Sequence, residues 1–210
     1  MGTLITKNRS SLLAVTCSLA LVIAACGGGG SGDDGSQTNG EQTPQATLIP
    51  NDPLPTVEGR NVTSLAKGYS VTYPEGWETK FNLVNAPTQK LDAFFAPPPT
   101  AGGFRATIAL TCEQIGGSET SRTYYERKRL VAESFADTEI IGPEQTSLGG
   151  VEGFKIEYRQ SLEDGSEVQK IDIFAANKSC GYTVSLTSSP DDLAEHLPAW
   201  QEFLNTLALI

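Results

Sequence analysis

Histidine occurs once in this sequence, at His196. Any Ser-His-Asp or Cys-His site would have to use that residue, because the nucleophile needs a histidine within reach to take its proton. His196 stands two residues before Pro198 on the polar side of an apolar helical stripe, and reads as a helix-surface residue. A zinc centre is short of ligands too, since one histidine and an oxidised cysteine pair leave no cluster. Basic residues are scarce: 15 Lys and Arg stand against 25 Asp and Glu, a net charge of −10. Such a chain repels phosphate backbones, which argues against nucleic acid as a partner. Long hydrophobic runs are missing as well. The longest, Leu12 to Ala25, has about 14 residues, where a helix crossing roughly 30 Å of hydrocarbon needs about 20.

That short run does have a place in an export signal. Lys7 and Arg9 precede it, and Ile23-Ala24-Ala25-Cys26 closes it with small residues before a cysteine, the order of a secretory signal. The last four residues resemble the lipobox of bacterial lipoproteins. The resemblance implies a diacylglyceryl thioether on Cys26, cleavage between Ala25 and Cys26, and anchoring of the mature chain at the outer face of a membrane. Two or more acyl chains hold a protein stably where one holds it marginally. With Lys7 and Arg9 removed, the net charge becomes about −12.

The expected organisation is a signal peptide over 1–25, a lipidated tether over 26–60 and one globular domain over 61–210. The tether is rich in Gly, Ser, Asp, Gln, Thr and Pro and has no hydrophobic period. Some 33 flexible residues reach roughly 30 Å, enough to hold a domain with a radius of gyration near 15 Å clear of the lipid. Cys17 leaves with the signal and Cys26 is lipidated, so Cys112 and Cys180 remain in an exported, oxidising setting. They are expected to form a disulfide closing a loop of about 69 residues, with a stabilisation on the order of 4 kcal/mol.

Within the domain, Tyr69, Val71 and Tyr73 alternate as in a strand and Pro74-Glu75-Gly76 turns the chain into Trp77. Leu91 to Ala96 and Phe104 to Cys112 read as a strand pair. Phe154 to Tyr158, Val168 to Ala175 and Cys180 to Leu186 read as an antiparallel meander. A helix is expected over Ser118 to Phe135, with Tyr124, Val131 and Phe135 along its buried side. A closing helix is expected to start at Ser189 as N-cap, to bury Leu193, Leu197, Trp200, Leu204 and Leu207, and to kink or split at Pro198. Strands, helix, meander and helix in that order point to α+β: an antiparallel sheet flanked by helices.

The stretch Gly68-Tyr69-Ser70-Val71-Thr72-Tyr73-Pro74-Glu75-Gly76-Trp77 resembles the start of PsbP-like domains, including the LpqN-type bacterial lipoproteins. Leu148-Gly149-Gly150, the Phe154 to Ala175 hairpin and the closing helix follow the same layout, over about 150 residues. The resemblance implies an α/β/α sandwich used for protein association by accessory and assembly factors. In the photosystem II subunit that fold supports calcium and chloride retention, and no motif carries that role to residues of this chain.

Chemistry-bearing constellations are few. Glu163-Asp164 and Asp191-Asp192 are explained by a turn and a helix start, and neither has the spacing of a calcium loop. Gly149-Gly150-Val151-Glu152-Gly153 lacks the Lys-Ser/Thr of a phosphate-binding loop. One basic cluster stands out, Arg127-Lys128-Arg129 with Arg122 a turn earlier, a candidate contact patch for an acidic partner together with Tyr124. The leading expectation is a non-catalytic, lipid-tethered domain, without cofactor or metal, that binds or stabilises an envelope protein or complex. The second is a small-ligand carrier with a pocket between sheet and helix lined by Trp77, Phe94, Phe95 and Trp200. A hydrolase working through His196 is the third.

Overall fold

The computed structural model describes residues 47–48, 53–85, 89–98, 104–134, 140–162 and 165–210. Cys26, the signal segment and most of the tether lie outside them, as do Phe135 and Glu163-Asp164. Two antiparallel sheets are built from β1 (Thr47–Leu48), β2 (Thr56–Glu58), β3 (Asn61–Ser64), β4 (Tyr69–Thr72), β5 (Glu78–Asn85), β6 (Gln89–Ala96), β7 (Thr107–Gln114), β8 (Ile140–Leu148), β9 (Val151–Ser161), β10 (Glu167–Asn177), β11 (Cys180–Ser188) and β12 (Ala208–Leu209). The large sheet runs β1-β5-β6-β7-β11-β10-β9-β8 and the small one β12-β4-β3-β2. Among the described residues there are two helices, α1 (Ser121–Glu133) and α2 (Leu193–Thr206).

Side-chain alternation along the central strands sends two different sets of residues to the two faces of the large sheet. One face carries Ile108, Leu110, Ile171, Ile173, Tyr182, Val184 and Leu186, covered by Trp200, Phe203 and Leu207 of α2 and by Val62, Tyr69 and Val71 of the small sheet. The other carries Phe154, Ile156, Tyr158 and Phe174, covered by Tyr124, Tyr125 and Ala132 of α1. The architecture is thus α+β, a sheet with a helix on each face.

The disulfide joins Cys112 on β7 to Cys180 on β11, with Cα atoms 5.5 Å apart. Cys112 pairs with Tyr182 and Cys180 with Gln114, so the two cysteines are diagonal neighbours on the α2 side of adjacent strands.

Several elements differ from the sequence expectation. β1 and β2 fall inside the stretch read as tether: Thr56–Glu58 pairs with Asn61–Ser64, and Thr47–Leu48 adds to the edge of β5. β8 was not anticipated because an edge strand exposed over most of its length has no hydrophobic alternation. A register shift between Ile141 and Glu144, with Pro143 inside it, breaks the regularity of that edge. α1 starts later, with Thr120 as N-cap in a reciprocal capping box with Thr123. Its buried residues are Ser121, Tyr124, Tyr125 and Ala132, whereas Val131 faces out. In α2 the N-cap is Asp192, and Ser189 Oγ instead accepts from the Asp192 N–H at 3.2 Å in the preceding turn. Pro198 lies within one continuous helix. It and Ala194, whose carbonyl would have accepted the missing N–H, are both exposed, so water can serve that carbonyl. Phe203 rather than Leu197 is buried.

Candidate functional site

α1 covers only part of its sheet face, and strand register shows which part. Thr111, Thr183, Phe174 and Phe154 form one cross-strand row, on which Tyr124 and Tyr125 pack. Tyr124 Oη lies 2.9 Å from Thr183 Oγ1, and its ring occupies the space above Gly181, where an added Cβ would meet ring carbons at 2.3 to 2.7 Å. The next row is Ala109, Ser185, Asp172 and Ile156, and the one after it Thr107, Thr187, Lys170 and Tyr158. Across β7, β11 and β10 these two rows carry small or charged side chains. They form the floor of a cleft of about 650 Å³ open to solvent.

The cleft walls are mixed. Lys128, Val131 and Ala132 of α1 close one side, and Leu91, Phe104, Leu162 and Val168 give apolar surface elsewhere. At the Lys67 end, β6 and β7 separate beyond the Ala93–Leu110 pair, and the Cys112 N–H donates to the Asp92 carboxylate instead of to a strand partner. Lys67 Nζ lies 3.4 Å from Asp92 Oδ1, and Tyr182 Oη donates to the carbonyls of Lys67 and Gly68 at 2.7 and 3.0 Å. Gly68 has φ +66 and backs onto the Tyr182 hydroxyl, a position with no room for a side chain. Burial and the Asp92 charge push the Tyr69 and Tyr182 phenols up.

On the floor, Tyr158 Oη donates to Asp172 Oδ2 at 2.8 Å, and Lys170 Nζ lies 5.3 Å from the centre of the Tyr158 ring. Burial, reinforced by the Asp172 charge, raises the Tyr158 phenol well above its ordinary value. Asp172 is 5 % exposed, and its Oδ1 is buried without a hydrogen-bond partner. Among the described residues no carboxylate oxygen comes within 4 Å of Lys170 Nζ.

The sequence-derived contact patch is redistributed. Tyr124 is fully buried under α1 and is a core residue, not a contact residue. Arg127 pairs with Glu113 and Glu119 at 2.7 and 3.1 Å, Lys128 pairs with Glu113, and Arg129 pairs with Glu133 at 2.5 Å. Arg122 lies over the Phe154 ring at 4.7 Å. The cluster is therefore largely neutralised within the fold. Burial pushes the Glu113 carboxyl up, but its bonds to Lys128 and Arg127 outweigh that and leave it below the ordinary value.

Of the aromatics expected to line a pocket, Phe94 shares the cleft side of the sheet with its strand partner Ala109, and the other three lie on or near the opposite side. Phe95 and Trp200 belong to the α2 core, Trp77 packs against it, and Phe94 sits in a small cluster with Leu91 and Ala96. His196 is half-buried, edge-on to Trp77 at 6.1 Å, and away from the cleft. Among the described residues no group of three or more His, Cys, Asp or Glu could hold a metal ion. No described helix is long and apolar enough to cross a membrane. Sequence reading missed Lys170, Asp172, Ser185 and Thr187, whose alternation with apolar residues looked like an ordinary solvent face.

No family model matches the sequence, and no curated protein does. Among solved structures, the cyanobacterial PsbP of Synechocystis is 16% identical with a TM-score of 0.54, covering 76% of this chain and 100% of that one. LpqN of Mycobacterium tuberculosis, described as involved in cell envelope biogenesis, is 10% identical with a TM-score of 0.48, covering 67% and 82%. A protein of unknown function from Pseudomonas aeruginosa is 19% identical with a TM-score of 0.48, covering 57% and 84%. The likeness to the cyanobacterial protein, which extends over that whole chain, shows that this chain has a PsbP-like fold.

Proposed function

We infer that the chain is a lipid-anchored extracytoplasmic domain that works by binding, without catalysis, and that its binding surface is the cleft on the uncovered half of the sheet. The observation that carries this reading is the cleft itself: about 650 Å³, open to solvent, with a polar floor and apolar walls. That is the size and mixed lining of sites that take small molecules. The small-ligand reading, second on sequence alone, therefore comes first. Association with an envelope protein or complex remains the second reading, favoured by Leu130 and Val131, 68% and 55% exposed beside the cleft.

Anchoring rests on Cys26, and labelled palmitate incorporated into the wild-type chain and lost in Cys26→Ser tests it. For the cleft, the full chain is extracted from its own membrane in mild detergent and weighed by native mass spectrometry. A bound small molecule is expected in the wild type and absent in Ser185→Trp, which fills the floor from a half-exposed position. An adduct unaffected by Ser185→Trp, or no adduct at all, defeats the small-ligand reading. In that case photo-crosslinking from position 130 in cells, giving one discrete protein adduct, supports the second.

A further inference from the structure

We propose that the cleft is built for a small zwitterion, with its anionic group on Lys170 and Thr187 and its ammonium on Asp172 and Ser185. The proposal rests on the reading of the cleft as a binding site and names the ligand chemistry. Lys170 and Asp172 are two apart on β10 and point to the same side, so their charges sit roughly 7 Å apart along the strand. They do not pair with each other: the ammonium lies over the Tyr158 ring and the carboxylate takes the Tyr158 hydroxyl. Each has a hydroxyl beside it on β11, Thr187 next to Lys170 and Ser185 next to Asp172. All four residues line the cleft.

The energetics favour an occupant with two opposite charges over one with a single charge. A buried carboxylate with an oxygen lacking any partner is costly, and such groups in native folds call for an explanation such as a missing ion or ligand. Asp172 Oδ1 is that oxygen. The terminal torsion of aspartate is soft, so offering Oδ1 to a donor in the cleft needs no change of rotamer. An anion alone would meet Lys170 but feel Asp172 about two residues away. A cation alone would meet Asp172 but feel Lys170. A molecule carrying both groups about 7 Å apart satisfies both. The other ammonium groups of the lining, Lys67 and Lys128, already face Asp92 and Glu113.

The test uses three probes of similar length: 6-aminohexanoate, hexanoate and hexylamine, titrated into the purified full chain and followed by amide chemical shifts. The zwitterion is expected to bind at least about tenfold more tightly than either singly charged probe. Its advantage should vanish in Lys170→Gln and in Asp172→Asn. Thr187→Val and Ser185→Ala, which leave the Tyr158–Asp172 hydrogen bond intact, should each weaken it about threefold. Equal affinity of the three probes with shifts confined to the cleft overturns the zwitterion while leaving the cleft as a binding site. An advantage that survives all four substitutions overturns the assignment of groups. If no probe shifts any cleft amide, the binding reading falls together with the proposal.

Discussion

Replacing Gly181 with alanine tests how α1 is seated. The glycine lies in β11 without a positive φ, so alanine meets no backbone strain there and is the better strand residue by roughly 0.5–1 kcal/mol. Against this, the new Cβ would meet three carbons of the Tyr124 ring at 2.3, 2.6 and 2.7 Å. Tyr124 is fully buried, held by Phe174 at 6.3 Å between ring centres and by the hydrogen bond to Thr183. It cannot yield without moving α1. Overpacking of a close-packed site costs about 1–3 kcal/mol, and three overlapping atoms place this one at the upper end, about 3 kcal/mol. For a domain of this size that lowers Tm by about 6–12 °C. Tyr124→Ala, which removes the obstructing ring, should cost about 3–5 kcal/mol by itself. In that background Gly181→Ala should be neutral or slightly stabilising, leaving a coupling energy of about 3 kcal/mol across the cycle. Urea unfolding followed by circular dichroism measures all four corners. A Gly181→Ala protein within about 0.5 kcal/mol of wild type, or costs that simply add, would refute the seating of Tyr124 on this glycine.

Three further outcomes are expected. Cys112→Ser with Cys180→Ser should lower stability by about 4 kcal/mol, the loop-closure entropy for a sequence separation of 68, read as a shift of the urea midpoint at unchanged slope; no shift would mean the bond contributes nothing. Tyr69, Tyr124, Tyr158 and Tyr182 all have phenols raised by burial, so the stability they contribute is complete below the unfolded value near 10 and is lost as pH rises above it. Their phenolate absorbance should therefore appear only with loss of the near-ultraviolet circular dichroism, and its appearance in an intact fold would contradict the packing described. Glu113, held below its ordinary value near 4.5, has the opposite sign: its contribution is present above that value and disappears as pH falls through the lowered one. Glu113→Gln should cost under about 1 kcal/mol at pH 7 and leave the mutant and wild type equally stable in strong acid, since the pairs are partly exposed.

What could be read in the sequence was whatever depends on alternation within one segment. The β9 to β11 meander follows from such alternation, and the inward side of Cys112 and Cys180 followed from their places in it. What depends on a second, distant segment could not be read. Arg127 and Lys128 looked like a free basic patch because Glu113, which pairs with both, belongs to a different element. Val131 looked buried because Tyr124 and Val131 share a helical side, yet α1 rests on its Ser121, Tyr124, Tyr125 and Ala132 side. One signal was available and passed over. A lone glycine inside the strand pattern of Cys180-Gly181-Tyr182 marks a close approach of something bulky, and the bulk is Tyr124. Three of the four aromatics expected around a pocket, Trp77, Phe95 and Trp200, belong to or pack against the α2-side core, because aromatic residues fill cores more readily than they line open clefts.

The open half of the sheet is stable as it stands, which is why it can serve as a site. An apolar helix laid over Thr107, Ser185, Thr187, Lys170 and Asp172 would bury hydroxyls and two charges without partners, each at a cost of kcal/mol order. Folding therefore gives α1 a reason to rest on the Phe154, Phe174, Ile156 and Tyr158 side chains of β9 and β10, and no reason to extend over the polar parts of the two floor rows on β7 and β11. The same polar groups that exclude a helix retain unused hydrogen-bonding capacity toward the cleft, and a solute that supplies the missing partners gains what the helix would have lost. Asp172 makes the point most sharply. Within the fold it has one donor, Tyr158, for two oxygens, so its position is costly in the empty cleft and favourable once a donor arrives. On the reading of the cleft as a binding site, a donor that reached Asp172 from the cleft would relieve that cost directly.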